Sequence, residues 1–153
     1  MAETFSGGCQ CGAVRYRCEG FGRASICHCR MCQKAFGGFY APLVTARGFS
    51  WTRGEPSWFR SSNKIRRGYC AQCGTPLAYD WGGDMEVSIG SLDDPEAAPP
   101  TVQVNPHDKL SFVDGLHELP MVRTADMPQG AAFMAGIESH QHPDQDTDAW
   151  PPA

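Results

Sequence analysis

Seven of the chain's eight cysteines fall into three tight groups: Cys9/Cys11, Cys27/Cys29/Cys32 and Cys70/Cys73. Thiols one to three residues apart sit on a single turn of backbone, so each group faces one point in space. In an oxidising setting eight cysteines would suggest disulfides, but clustered like this in a reducing one they point to metal. Zinc takes four ligands in a tetrahedron, and thiolates are its usual structural ligands. Any fold open to this chain must therefore bring distant turns together around sulfur.

The simplest partition gives one closed site and one open site. Cys9, Cys11, Cys70 and Cys73 form two pairs at knuckle-like spacing, each followed by glycine, Gly12 and Gly74. Glycine permits the tight turn that lets two nearby thiolates face one ion. Together the four make a fully coordinated structural zinc site, tying the first strand to the middle of the sheet. Cys27, Cys29 and Cys32 remain, three ligands for a second zinc with the fourth position open for substrate. His28 lies between two of these ligands, and its ring is expected to point away from an ion held by both. Closure by His28 or by a distant side chain, or an empty site, are the alternatives, and His107, His117, His140 and His142 are expected to face solvent. A rival partition, lending the triplet a member of another group, leaves that group incomplete. Cys18 stands alone and reads as a small buried hydrophobe.

The 153 residues suit one domain with a modest core. A net charge of -4 argues against general nucleic-acid binding. No apolar run is long enough to span a membrane, and no signal peptide is visible, so a cytoplasmic setting is the expectation. Twelve prolines and seventeen glycines favour many turns and short strands, hence a mainly β fold. Residues 13–18 alternate, with Val14, Tyr16 and Cys18 inward and Arg15 and Arg17 outward. Residues 19–22 read as a turn. Short β segments are expected over 39–44, 49–52, 57–60, 64–69, 76–81 and 85–89, with another around Val102 and Val104. A short helix is expected from Met31 to Phe36, stopped by Gly37. A C-terminal helix over 128–138 would be capped by Asp126. Residues 1–138 make the domain; 139–153, polar and proline-rich, are expected to be disordered.

An open zinc with three thiolate ligands favours soft sulfur ligands and deprotonates a bound thiol. That is chemistry for making or breaking a carbon–sulfur bond on a thiol cofactor. An anionic thiol such as glutathione would want cations nearby, and Arg60, Lys64, Arg66 and Arg67 are the candidates.

The motifs Gly8-Cys9-Gln10-Cys11-Gly12, Cys27 to Lys34, Gly68 to Leu77 and Gly90-Ser91-Leu92-Asp93-Asp94-Pro95, in that order, resemble the glutathione-dependent formaldehyde-activating enzyme family, which includes centromere protein V. The resemblance covers about residues 5 to 120. It implies an Mss4-like β-tent stapled by zinc, with Cys9, Cys11, Cys70 and Cys73 on the structural ion and Cys27, Cys29 and Cys32 on the catalytic one. It implies a carbon–sulfur lyase that joins glutathione and formaldehyde as S-hydroxymethylglutathione, with a small thiol and an aldehyde as its partners. Two departures stand out: Val102-Gln103-Val104 where the family often has a histidine before an aromatic, and Ser111-Phe112 where a tryptophan is usual. A non-catalytic zinc-stapled binding module and a thiol redox or metal-handling protein are the other readings.

Overall fold

The computed structural model describes residues 3–151. It is mainly β. Ten strands form two sheets. The smaller sheet joins β1 (Phe5–Gly8), β2 (Arg15–Cys18) and β5 (Ser50–Arg53), in that order. The larger holds β3 (Gly20–Cys27), β4 (Ala41–Arg47), β6 (Ser57–Arg60), β7 (Arg66–Tyr69), β8 (Pro76–Asp80), β9 (Glu86–Ser88) and β10 (Val102–Val104). Its strand order is β10-β3-β4-β9-β8-β7-β6, antiparallel except for the β10–β3 pair.

The core draws on both sheets. Tyr16, Cys18, Val44, Leu77 and Val87 are all at or near zero exposure, with Phe49, Trp51 and Trp58 packed against them. The Tyr16 hydroxyl donates to Ser91 Oγ at 2.8 Å, and Ser91 Oγ donates to the Ser88 carbonyl at 2.8 Å. The buried phenol is thus satisfied, and its ring adds apolar area at little polar cost. Cys18 is fully buried in this core, outside either cysteine cluster, as its strand position predicts.

Two strands escaped the periodicity. The first is β1; the second is β3, where the segment from Glu19 to Gly22 reads as a turn. Gly22 sits in β3 because a Cβ there would lie 2.9 Å from the Thr45 Cβ, so the neighbouring strand leaves no room for a side chain. Arg15 also departs from the expected exposure. It still shares a face with Arg17, since both reach Asp146, but Asp93 and the end of the chain cover it. It is 3% exposed and grips Asp93 through two hydrogen bonds of 2.8 and 2.6 Å.

The chain divides into two compact units, 1–109 with 141–153, and 110–140. The second consists of 3-10 turns and the helix α2 (Pro128–Ala135). That helix ends earlier than the expected 138, and its N-cap is Met127 with no side-chain bond. Asp126 is drawn instead into an ion pair with Arg123 at 2.8 Å.

Composition predicts disorder after Ser139, yet the structure holds the end of the chain against the first unit. The backbone N–H of His142 donates to the Gln10 carbonyl at 2.8 Å. Asp146 pairs with Arg15 at 2.8 Å and Arg17 at 2.9 Å. Trp150 Nε1 donates to the Cys11 carbonyl. His142, expected in solvent, is 5% exposed: Nδ1 donates to the Pro143 carbonyl at 2.7 Å, while Nε2 faces Arg53 and Thr147. A few polar anchors thus do what the segment's low hydrophobicity does not.

Candidate functional site

The turn after β1 carries Cys9 and Cys11, and the turn between β7 and β8 carries Cys70 and Cys73. All four sulfurs lie within 4.8 Å of one another. Cys9 Sγ is 3.6 Å from Cys11 Sγ, which is 3.8 Å from Cys70 Sγ. A tetrahedron of sulfurs about 2.3 Å from an ion has edges of about 3.8 Å, so the group is sized for a metal. Gly12 has φ +79 and Gly74 φ +77, the left-handed conformation that lets each knuckle turn back. Burial pushes the Cys9 thiol up to about 12. Burial also acts to raise Cys73, but bonds from the Thr75 hydroxyl and backbone prevail and bring it down to about 6.

The second cluster sits where β3 runs into the helix α1 (Arg30–Phe36). Cys27 ends the strand, Cys29 is the helix N-cap and Cys32 lies in the first turn. Gly37, with φ 60, caps the other end, as expected. The three sulfurs lie within 4.8 Å of one another. Each accepts a hydrogen bond. Asn105 Nδ2 donates to Cys27 at 3.3 Å, the Cys32 backbone N–H to Cys29 at 3.4 Å, and Arg67 to Cys32 at 3.4 Å. Against the opposing effect of burial, bonds from the Cys29 backbone and Asn105 lower the Cys27 thiol. Burial prevails at Cys32, pushing it up to about 12 despite Arg67.

His28 does not join the cluster. Its ring is fully buried on the other side of the loop, where Nε2 donates to Gln103 Oε1 at 2.8 Å. Gln103, within the stretch where the resemblance would put a histidine before an aromatic, thus has a structural partner. Gln33 ties down the loop, its Nε2 donating to the His28 carbonyl at 2.7 Å and the Asp108 carbonyl at 3.1 Å.

A cavity of about 600 Å³ opens over this second cluster. All three cysteines line it, with Arg67, Tyr79, Glu86 and Asn105 among the other walls. Of the four predicted cations, only Arg67 lines this cavity. Its guanidinium lies 5.0 Å from the Tyr79 ring centroid, and its buried Nη1 has no hydrogen-bond partner among the described residues. Arg60, Lys64 and Arg66 line a separate, smaller hollow with Asp80. Arg66 is committed there, bonded to Asp80 at 2.6 Å and stacked 4.1 Å from the Trp58 ring centroid. Strand alternation separates Arg67 from Arg66, a period-2 signal available from the sequence. Asn105, Tyr79 and Glu86 went unrecognised as wall residues; the turn dipeptide Asn105-Pro106 was the one local hint.

The family model for the glutathione-dependent formaldehyde-activating enzyme matches residues 4–107, a span holding both cysteine clusters and every wall residue just named. The chain belongs to that family. Among solved structures three chains match, including a Rhodobacter sphaeroides protein. It is 21% identical with a TM-score of 0.51, and the match covers 65% of this chain and 99% of that one. This likeness supports the fold alone. No curated protein matches. At the level of the family, membership carries glutathione-dependent activation of formaldehyde, with small-molecule substrates. No helix among the described residues is long and apolar enough to cross a membrane.

Proposed function

We propose that the chain is a zinc-dependent carbon–sulfur lyase that combines a thiol, glutathione, with formaldehyde or a related aldehyde and runs the reverse cleavage. The observation that carries this reading is the contrast between the two clusters. Cys9, Cys11, Cys70 and Cys73 supply a full tetrahedral set among themselves. Cys27, Cys29 and Cys32 supply three sulfurs at the wall of a cavity large enough for a tripeptide-sized ligand. A zinc ion on the second set supplies a soft Lewis acid that favours a thiolate ligand.

The chain's own residues prepare that chemistry. Asn105, the Cys32 backbone and Arg67 each donate to one of the three sulfurs, stabilising their thiolate forms. Arg67 also offsets the accumulated negative charge. Its guanidinium places a positive charge in the cavity wall, which favours an anionic thiol. Tyr79 and Leu43 wall the site with apolar surface. The product carbon–sulfur bond forms as the thiol sulfur adds to the aldehyde carbon, and the carbonyl oxygen ends as a hydroxyl.

The test is exchange between glutathione and formaldehyde followed by magnetisation-transfer NMR, with metal content measured on the same sample. The expectation is two zinc ions per chain and accelerated exchange. Cys29→Ser is expected to abolish the acceleration while leaving the circular dichroism and one tightly held zinc. Full turnover by Cys29→Ser would remove the catalytic assignment.

A further inference from the structure

We propose that Glu86 is the subsite for a cationic group of the thiol ligand, so that the cavity selects an amine-bearing thiol over one that lacks the charge. The inference rests on the thiol reading above. It starts from register. Glu86 on β9 pairs with Tyr79 on β8, and Tyr79 pairs with Arg67 on β7. Opposed residues in an antiparallel ladder share a face. The three therefore form a row across three strands, and all three line the cavity over the cysteine triplet. Strands lie about 4.8 Å apart, which puts the Arg67 and Glu86 backbones about 10 Å from each other. Arg67 touches Cys32, so one end of the row lies at a sulfur and the carboxylate lies two strands further along it.

Glu86 is poorly served by the protein. Its side chain is 14% exposed, and its nearest cation, Arg23 on β3, lies 3.9 Å away, beyond hydrogen-bond reach, with a side chain 60% exposed. On the neighbouring strands β4 contributes Thr45 opposite Glu86 and β8 contributes Tyr79, neither of them cationic. Burial raises the Glu86 carboxyl and Arg23 only partly opposes it. A half-buried carboxylate with one loose partner gains more from a ligand ammonium than a solvated one does. Asp108, the other acid on the cavity wall, is 40% exposed and has His107 3.5 Å away. The polarity of the row, cation near the sulfurs and anion beyond, matches a zwitterionic thiol held by sulfur, carboxylate and ammonium.

Calorimetric titration of the metal-loaded chain with glutathione and with N-acetylglutathione tests this, because acetylation removes the positive charge and leaves the thiol. Wild-type protein is expected to bind glutathione about tenfold or more tightly than the acetylated form, the range for a charge-assisted contact. In Glu86→Gln the preference is expected to shrink to about twofold, chiefly by weaker glutathione binding. Equal binding of the two thiols by wild-type protein overturns the proposal without any variant. A folded Glu86→Gln that keeps the wild-type preference also overturns it, since the discrimination would then be steric or read elsewhere. If neither thiol binds the wild-type chain, the thiol reading itself fails and this inference falls with it, a result distinct from the other two.

Discussion

At the scale of single residues, the second cluster depends on side chains that are not ligands. Asn105 has φ 53, the sole non-glycine residue with positive φ among those described. Asparagine tolerates that conformation better than most residues. The turn it makes aims its amide at Cys27 Sγ, 3.3 Å away. Asn105→Gly is therefore expected to keep the backbone and lose the donor. Groups that hydrogen-bond to a metal ligand typically account for about 10–100-fold in affinity. The variant should show that loss for the second metal in a competition titration with a chromogenic chelator, at unchanged affinity for the first. Equal loss at both sites would mean that the substitution disturbs the fold rather than Cys27. His28 gives the complementary lesson. It stands between two ligands, yet its bond to Gln103 holds the ring away from the triplet.

At the scale of elements, spacing between cysteines was legible where spacing between hydrophobic residues was not. The three groups, the helix from the triplet to Gly37, and the strand Ser57–Arg60 follow from local chemistry, because a thiol pair, a left-handed glycine and a bounded alternation each act within a few residues. β3 was hidden because its Gly22 answers to Thr45, a residue more than twenty positions away. Arg15 shares the face of Arg17 as the alternation implies, but it is buried because Asp93 and Asp146, far away in sequence, cover it. The contacts of the tail were not legible for a related reason: composition reports the hydrophobic drive, and these contacts are polar and charged. Asp146 is the test. Burial would raise its carboxyl, but bonds from Arg15 and Arg17 prevail and hold it below the usual aspartate range. A depressed carboxyl contributes stability that is present above its ordinary pKa of about 3.9 and is lost as pH falls through the lower folded value. Amide exchange around His142 is thus expected to stay protected at neutral pH and to quicken as the pH drops below about 4. Asp146→Asn should exchange faster at neutral pH and lose that acid step. Protection in the variant matching wild type across the range would mean that the ion pairs do not hold the tail.

At the scale of the molecule, the two clusters differ in what they connect. The four-thiolate group joins a turn of the smaller sheet to a turn of the larger one, with Cys11 and Cys70 59 positions apart. Bringing such distant turns together carries a chain-entropy cost that a metal bound only by the folded form offsets. The triplet spans six residues at the junction of one strand and one helix, so losing its ion leaves the sheets joined. Stepwise metal removal should separate these roles. A mild chelator is expected to strip one equivalent from the wall of the cavity, ending thiol binding and turnover with little change in circular dichroism. Removing the second equivalent, under a stronger chelator, should lower the melting temperature sharply and expose the Tyr16 core to exchange. The order follows from coordination, since a four-thiolate ion has no open position for a chelator to enter, whereas a three-thiolate ion beside a cavity does. If the first equivalent to leave carried the structural transition with it, the assignment of the two clusters would have to be exchanged.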